Sequence, residues 1–229
     1  MVVMRLYLCE KPSQAKDIAA VLGAKRRGDG CWLGTDVTVT WCIGHLLETA
    51  PPDAYDARYK RWVLADLPII PEKWKMTVKP RTASQYKAVK RLLGEADELV
   101  IATDADREGE MIARELVEHC RYRGPIRRLW LSALDDASIR KALAALKPGA
   151  ETFSLYHSAL GRSRADWLIG MNMSRLFTLL GRQSGYQGVL PVGRVQTPTL
   201  RLVVDRDRSI ADFVPVAYWA IDVQLFHEG

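Results

Sequence analysis

Two common patterns are absent from this 229-residue chain, and each absence excludes a class of protein. No two of its four cysteines, Cys9, Cys31, Cys42 and Cys120, form a C-x-x-C pair, so neither a zinc ribbon nor a disulfide framework is predicted. No stretch approaches the roughly 18 uncharged apolar residues that a membrane span needs, and the amino terminus does not resemble a signal peptide. We therefore expect a soluble cytoplasmic protein with reduced thiols and no membrane partner.

Lysine is missing from the last third of the chain. Residues 151–229 contain eight arginines and no lysine, and the last lysine is Lys147. The whole chain carries a net charge of +6, which fits a polyanionic partner but does not require one. The change in composition follows Pro148-Gly149, a helix-breaking pair that marks the best candidate for a domain boundary.

Before this boundary, short apolar runs alternate with helical patterns. Strands are predicted over 5–9, 37–41, 98–102 and 126–131, and helices follow Pro12 and cover 84–93, 108–120 and 136–146. Within 37–41 the valines alternate with threonines, which predicts one solvated face. Residues 51–80, with five prolines, are predicted to be an irregular excursion. The alternation predicts an α/β fold with a mostly parallel sheet flanked by helices.

Beyond residue 150 the pattern is mainly helical. One long or broken helix is predicted over 155–180, and Thr197-Pro198 is predicted to be the N-cap and first turn of a helix ending near Ala211. Residues 217–226 alternate like a strand, and the chain stops soon afterwards, which we interpret as missing sequence. We predict an α/β domain over 4–150, a helical portion over 151–211 and a truncated start of a further region over 212–229.

The most unusual stretch is T-D-A-D-R-E-G-E, residues 103–110, which places four carboxylates directly after a branched apolar strand. Asp104 and Asp106 are two positions apart on an extended segment, so both can point to one spot at the carboxyl edge of a parallel sheet. Glu108 can join them at the start of the next helix. Glu10 ends the first strand in the same way. If the two strands are neighbours, its carboxylate therefore meets those of Asp104, Asp106 and Glu108.

Such a cluster is costly unless a cation neutralises it, and Mg²⁺ prefers oxygen ligands while keeping several waters. Asp104 and Asp106 are then the expected direct ligands. The alternative is that the acids only complement a helix amino terminus, a contribution of about 0.3 to 1 kcal/mol each. Phosphatases and response-regulator receivers also place acids at strand ends, but the expected D-x-D-x-T form and isolated phosphoacceptor are absent.

These residues also carry a family resemblance. Glu10-Lys11-Pro12-Ser13 and the octet 103–110 resemble the Toprim domain of type IA DNA topoisomerases. Three further motifs resemble the same family, most closely its bacterial topoisomerase III branch: T-W-C-I-G-H-L-L-E at 40–48, R-A-D-W-L-I-G-M-N at 164–172 and P-V-G-R-V-Q-T-P at 191–198. The resemblance covers essentially the whole chain, in order. It implies a Toprim domain followed by a helical part of the topoisomerase core.

The resemblance also implies roles for individual residues. Enzymes of this family cut one DNA strand with a tyrosine, pass another strand through the gap and reseal it, with Mg²⁺ held by the Toprim acids. It implies that Asp104 and Asp106 bind Mg²⁺ and that Glu10 acts as a ligand or as an acid/base partner. Glu108 would support the site. Lys11 would stabilise the phosphate or protonate the leaving 3′ oxygen.

A second group of residues is implied in DNA binding. Arg194 and Gln196 lie in the G-R-V-Q segment, where arginine can grip a phosphate with two hydrogen bonds. Arg162 and Arg164 are expected to line the same strand-binding groove, with a solvated helix face as the equal alternative. We interpret His45 and His157 as structural, and the basic-aromatic segments 58–62 and 121–123 as ordinary surface.

One family feature has no counterpart here. The nucleophile of the family lies in a segment like Tyr-Pro-Arg-Thr, and none of the eight tyrosines of this chain has that context. We therefore expect no covalent enzyme–DNA link from this chain alone. Two alternatives stay open: a module that binds DNA without cutting it, and a Toprim nuclease or primase that uses metal ions without tyrosine.

The resemblance further implies the partners. These are single-stranded DNA and negatively supercoiled or catenated DNA, together with a helicase or a single-strand-binding protein. We expect a monomer located in the cytoplasm with the nucleoid.

Overall fold

The computed structural model describes residues 4–227, which form nine strands and six α-helices joined by short turns and 3₁₀ segments. The strands are β1 Arg5–Cys9, β2 Arg26–Gly28, β3 Cys31–Leu33, β4 Val37–Trp41, β5 Leu47–Thr49, β6 Met76–Val78, β7 Glu98–Ala102, β8 Ile126–Arg128 and β9 Lys147–Pro148. The helices are α1 Pro12–Val21, α2 Ala83–Glu95, α3 Arg107–His119, α4 Asp136–Ala144, α5 Phe153–Gln183 and α6 Gln196–Ala211.

Seven strands form one sheet in the order β2-β3-β4-β1-β7-β8-β9. Its centre, from β4 to β8, is parallel, and both edges are antiparallel. The predicted α/β class is confirmed, but the sheet is mixed rather than mostly parallel. The sequence missed β2, β3 and β9 because strands of two or three residues are too short to show a period.

Helices cover both faces of this sheet and bury an apolar layer on each side. Ile18 of α1 and Ile139 of α4 pack on one face, and Val89 of α2 and Leu116 of α3 pack on the other. Parallel strands covered on both faces are typical of α/β proteins. The branched apolar residues of the central strands favour the extended backbone and also fill the core on both faces of the sheet.

The prediction of a solvated face on β4 is wrong. Both threonines of the strand are buried, because β4 lies inside the sheet and α2 covers its second face. The hydroxyl of Thr40 donates to the carbonyl of Gly30 at 2.8 Å and accepts from Nε2 of Gln85 at 3.3 Å. Two hydrogen bonds thus replace the water that the alternating pattern suggested.

The first and the seventh strands are direct neighbours. They pair in parallel with Cys9 opposite Ala102, so the residues that follow them, Glu10 and Thr103, leave the sheet side by side. The expectation that two distant acidic segments share one sheet edge is therefore confirmed.

Residues 51–80 are largely irregular, as predicted, but are fastened to α5. Asn172 accepts from the N–H of Ile69 at 2.6 Å and donates to its carbonyl at 3.0 Å, as a neighbouring strand would. Nε1 of Trp167 donates to the carbonyl of Ala50, and the Arg175 guanidinium lies over the Trp62 ring. The excursion therefore packs as part of the α5 layer.

The last described part of the chain differs from prediction. Helix α6 begins at Gln196, one residue before the expected cap, and Oγ1 of Thr197 accepts from the N–H of Gly193. Residues 213–227 form no strand, so the predicted strand over 217–226 is wrong. A strand needs a partner, and within residues 4–227 none lies beside this exposed segment. Over the same residues, no helix is both long and apolar enough to cross a bilayer.

Candidate metal and nucleic-acid site

Asp104 is the centre of the acidic loop between β7 and α3. Its backbone N–H donates to Oε2 of Glu10 at 3.1 Å. Its carboxylate accepts from Nε2 of Gln14 at 3.0 Å and lies 3.4 Å from Nζ of Lys11. The end of β1 and the start of α1 thus supply three partners to this residue, and the structure brings together the predicted residues Glu10, Lys11 and Asp104.

Asp106 has a second, structural task. Its Oδ1 accepts from the N–H of Gly109 at 2.7 Å and caps α3, so the helix-terminus alternative holds for this residue as well. The loop is tight at this point, since a Cβ on Gly109 would meet the carbonyl oxygen of Asp104 at 2.2 Å. Only glycine lets the helix start this close to the Asp104 peptide.

The carboxylate of Glu10 lies in a partly buried and acidic environment. Burial raises its pKa, the Asp104 N–H lowers it, and the charges of Asp104 and Asp106 raise it again, so that the net shift is upward. Lys11 offsets only part of this repulsion. Cationic charge at this edge would relieve the remainder.

The donor chemistry fits Mg²⁺ with few protein ligands. Among residues 4–227, no three His, Cys, Asp or Glu side chains converge as a metal cluster, so the predicted set of Glu10, Asp104 and Asp106 is not assembled here as three ligands. Their contacts explain this: the Glu10 carboxylate accepts from the backbone N–H of Asp104, and the Asp106 carboxylate accepts from the N–H of Gly109 as the N-cap of α3. Mg²⁺ usually takes one or two carboxylates and keeps its waters, which Asp104 and Asp106 can satisfy.

A buried ionic group lies directly beneath this loop. The side chains of Arg128 and Glu110 are both fully buried and form an ion pair, and Nε of Arg114 lies 3.2 Å from the other Glu110 oxygen. Burial lowers the pKa of Arg128, and the Glu110 charge opposes that shift. Sequence analysis missed Arg128, because an arginine in a short strand gives no signal of burial.

His45 joins two acids next to the loop. Its Nδ1 lies 2.9 Å from Glu115 and its Nε2 2.8 Å from Glu108. Burial lowers the pKa of His45, but hydrogen bonds and charges of both carboxylates outweigh that effect and raise it overall. The predicted supporting residue Glu108 is thus held by His45, which lies in the motif at 40–48 and for which the sequence predicts only a structural role.

A cleft of about 570 Å³ opens between this edge and α5. Its walls include His45, Lys79, Glu108 and Arg162. The predicted DNA-binding residue Arg162 therefore lies beside the acidic loop, and it also lines a smaller cavity with Asp106. This combination of basic and acidic side chains in one cleft suits a phosphodiester accompanied by a cation.

Arg164 does not share this cleft. Its guanidinium lies over the Trp74 ring, 5.3 Å from the centroid, and lines an adjacent cavity of about 250 Å³ with Glu118 and Tyr156. Residues two apart on a helix are about 200° apart around its axis, so Arg162 and Arg164 point to different sides. The sequence predicts one groove for both arginines, but the structure divides them between neighbouring cavities.

The G-R-V-Q segment reaches the same side of α5. Nη1 of Arg194 lies 2.8 Å from Oδ1 of Asp166, and Nε of Arg162 lies 3.9 Å from Oδ2 of that carboxylate. Asp166, which sequence analysis did not select, therefore brings the two predicted arginines together. Gln196 is the exposed first residue of α6.

Family models match both parts of the chain. Residues 5–134 match the Toprim domain, and residues 150–229 match the DNA topoisomerase family. Among solved structures, full-length topoisomerase I from Thermotoga maritima is similar, with a TM-score of 0.63 and 26% identity; the match covers 91% of this chain and 31% of that one.

Curated proteins that are similar to this chain are also named as topoisomerases. DNA topoisomerase 3 of Vibrio cholerae is 48% identical over 98% of this chain, and DNA topoisomerase 3 of Salmonella typhimurium is 46% identical over 97% of it. The chain spans 36% and 35% of the lengths of these relatives. This chain therefore belongs to the Toprim family, as its resemblance to the Toprim domain of type IA enzymes predicted.

Proposed function

We propose that this chain is the metal-binding and DNA-binding part of a type IA DNA topoisomerase, which cuts a single strand, passes a second strand and reseals the cut. The observation that supports this most is the meeting of Glu10, Lys11 and Asp104 at one sheet edge, beside a cleft that Arg162 lines. The reaction is inferred from the relatives, which are named DNA topoisomerase 3.

In this proposal Asp104 and Asp106 hold Mg²⁺, and Glu10 is a further ligand or an acid/base partner. Bound Mg²⁺ would neutralise phosphate charge near the scissile bond. Lys11 now pairs with Asp104, and it would turn to the phosphate or to the leaving 3′ oxygen when a cation takes that carboxylate. The raised pKa of Glu10 suits a group that holds or releases a proton close to the reacting phosphate.

Single-stranded DNA would lie in the cleft between the acidic loop and α5. Arg162 would contact its phosphates directly, and Arg194 would do so after leaving Asp166. Gln196 would contribute at the start of α6, whose amino terminus favours negative charge. Arg164, stacked on Trp74, would act at the neighbouring cavity.

The covalent step needs a tyrosine in a context that this chain does not contain, so the 229 residues alone would bind DNA without becoming linked to it. The proposed substrates are negatively supercoiled or catenated DNA in the bacterial cytoplasm. A helicase or a single-strand-binding protein would supply the single-stranded region.

The test is to incubate the chain with supercoiled plasmid or a labelled single-stranded oligonucleotide, with Mg²⁺ or with EDTA. We expect the chain to bind the oligonucleotide with an affinity that differs between Mg²⁺ and EDTA. We expect no relaxation of the plasmid and no covalent adduct on a denaturing gel. Cleavage without attached protein would instead support a Toprim nuclease. The absence of any DNA binding would contradict the proposal.

A further inference from the structure

Arg128 connects the end of β8 to the peptides that carry the acidic loop. Its Nη1 lies 2.8 Å from the carbonyl oxygen of Thr103 and 3.2 Å from that of Ile101, and its Nη2 donates to the carbonyl of Asp104 at 2.6 Å. Its Nε pairs with Glu110, in the first turn of α3. One planar group thus contacts the strand end, the loop and the helix start.

The Asp104 peptides are held from two directions. Glu10 accepts from the Asp104 N–H, and Arg128 donates to the Asp104 carbonyl. These two contacts leave the main chain at Asp104 little freedom to rotate. The direction in which the Asp104 side chain leaves the main chain is therefore set, and Gln14 and Lys11 contact its carboxylate.

We propose that Arg128 is a positioning residue of the candidate metal site, which orients Asp104 by fixing the carbonyl groups of Thr103 and Asp104. This inference rests on the proposed function, since it presumes that Asp104 binds a cation. Groups that orient metal ligands typically contribute ten- to a hundredfold in metal affinity.

The chemistry of the side chain explains why arginine is suited to this place. A guanidinium presents donors in a rigid planar fork and stays charged, whereas a lysine ammonium offers a single donor group. Lysine at position 128 could keep the charge opposite Glu110 but could not also reach the carbonyls of Thr103 and Asp104. Methionine would remove every contact yet leave Glu110 balanced by Arg114 at 3.2 Å.

The experiment compares the unsubstituted chain with Arg128→Lys and Arg128→Met. Binding of Mn²⁺, used alone as the probe, is measured by the electron paramagnetic resonance of free ions. Exchange of the Asp104 amide hydrogen is measured by NMR in EDTA, so that loop order is read without metal. Circular dichroism verifies folding, and Arg127→Met, at a half-exposed neighbour that pairs with Glu98, is the control.

We expect both Arg128 variants to bind Mn²⁺ roughly ten- to a hundredfold more weakly and to exchange the Asp104 amide hydrogen faster, with no change in Arg127→Met. If Arg128→Met does not fold, Arg128→Lys decides. Folded variants with unchanged Mn²⁺ affinity would overturn the positioning role. Absence of Mn²⁺ binding by the unsubstituted chain would overturn the proposed metal site itself, and the inference with it.

Discussion

The carboxylate of Glu10 accepts a hydrogen bond from the backbone N–H of Asp104 at 3.1 Å, although 94 positions separate the two residues. The contact follows from the pairing of β1 with β7, which ends both strands at the same level. One carboxylate oxygen of Glu10, a predicted metal ligand, therefore holds the loop that carries Asp104, a second predicted ligand. The same side chains therefore stabilise the loop and supply predicted metal ligands. Changes to the loop backbone should affect both the stability of the fold and metal binding.

Gly109→Ala tests how closely α3 approaches the loop. Replacing a helical glycine by alanine usually stabilises, but here the new Cβ would meet the Asp104 carbonyl at 2.2 Å. We expect a loss of about 1–3 kcal/mol in the free energy of unfolding, measured with urea, and weaker Mg²⁺ binding. Gly161→Ala is the control, since outside its chain neighbours and the backbone of its own helix turn no atom lies within 4 Å of the added Cβ, and it should gain roughly 0.4–1 kcal/mol. A stabilised Gly109→Ala would refute the close contact.

His45 predicts a pH dependence of stability. Because its pKa is raised in the folded chain, its contribution is fully present below its unfolded pKa and is lost as pH rises through the folded pKa. The loss caused by His45→Gln should therefore be larger at pH 6 than at pH 9, in urea unfolding with EDTA. His157→Gln, which removes ring contacts with Phe153 and Tyr156, is the control for the loss of an imidazole ring. An equal loss at both pH values for His45→Gln would argue against protonation between Glu108 and Glu115.

Asn172→Ala tests the attachment of the irregular excursion to α5. The substitution leaves the buried N–H and carbonyl of Ile69 without their partner, which should cost about 1–3 kcal/mol. Urea unfolding measures the loss, and protease cleavage within 51–80 should become faster. Met173→Ala, at an exposed neighbour on α5, is the control. Unchanged cleavage and stability would mean that other contacts fasten the excursion.

Arg162→Ala tests the proposed DNA cleft. Removal of one phosphate contact should weaken binding of single-stranded DNA and reduce the slope of log affinity against log salt by about 0.7. Fluorescence anisotropy at several salt concentrations measures both quantities. Arg201→Ala on α6, which breaks an exposed pair with Asp205, should change neither. An unchanged slope for Arg162→Ala would remove that residue from the DNA path.

Much of the fold was predictable, because the central strands are buried runs and the main helices have a clear period. The position of the acidic edge was also predictable, since parallel strands end together. The chain's short edge strands were missed for lack of length. A strand over 217–226 was wrongly predicted, since alternation says nothing about whether a neighbouring strand exists.

The support of the site was less accessible from sequence. Arg128, Gln14 and Asp166 act through contacts with residues far away in the chain, and none belongs to a pattern that signals burial or pairing. Thr40 shows the same limit, since its hydroxyl is satisfied by Gly30 and Gln85 inside the core. Residue type predicted which groups carry charge, but only the fold determines which partners neutralise them.

The central claim is that Asp104 and Asp106 bind Mg²⁺, and calorimetric titration of Mg²⁺ into the metal-free chain tests it most directly. The account predicts measurable binding that weakens at least roughly tenfold in Asp104→Asn with Asp106→Asn. Asp36→Asn, an exposed residue before β4 and so at the opposite edge of the sheet, should bind as the unsubstituted chain does. Equal affinity in the double variant and the unsubstituted chain would contradict the account.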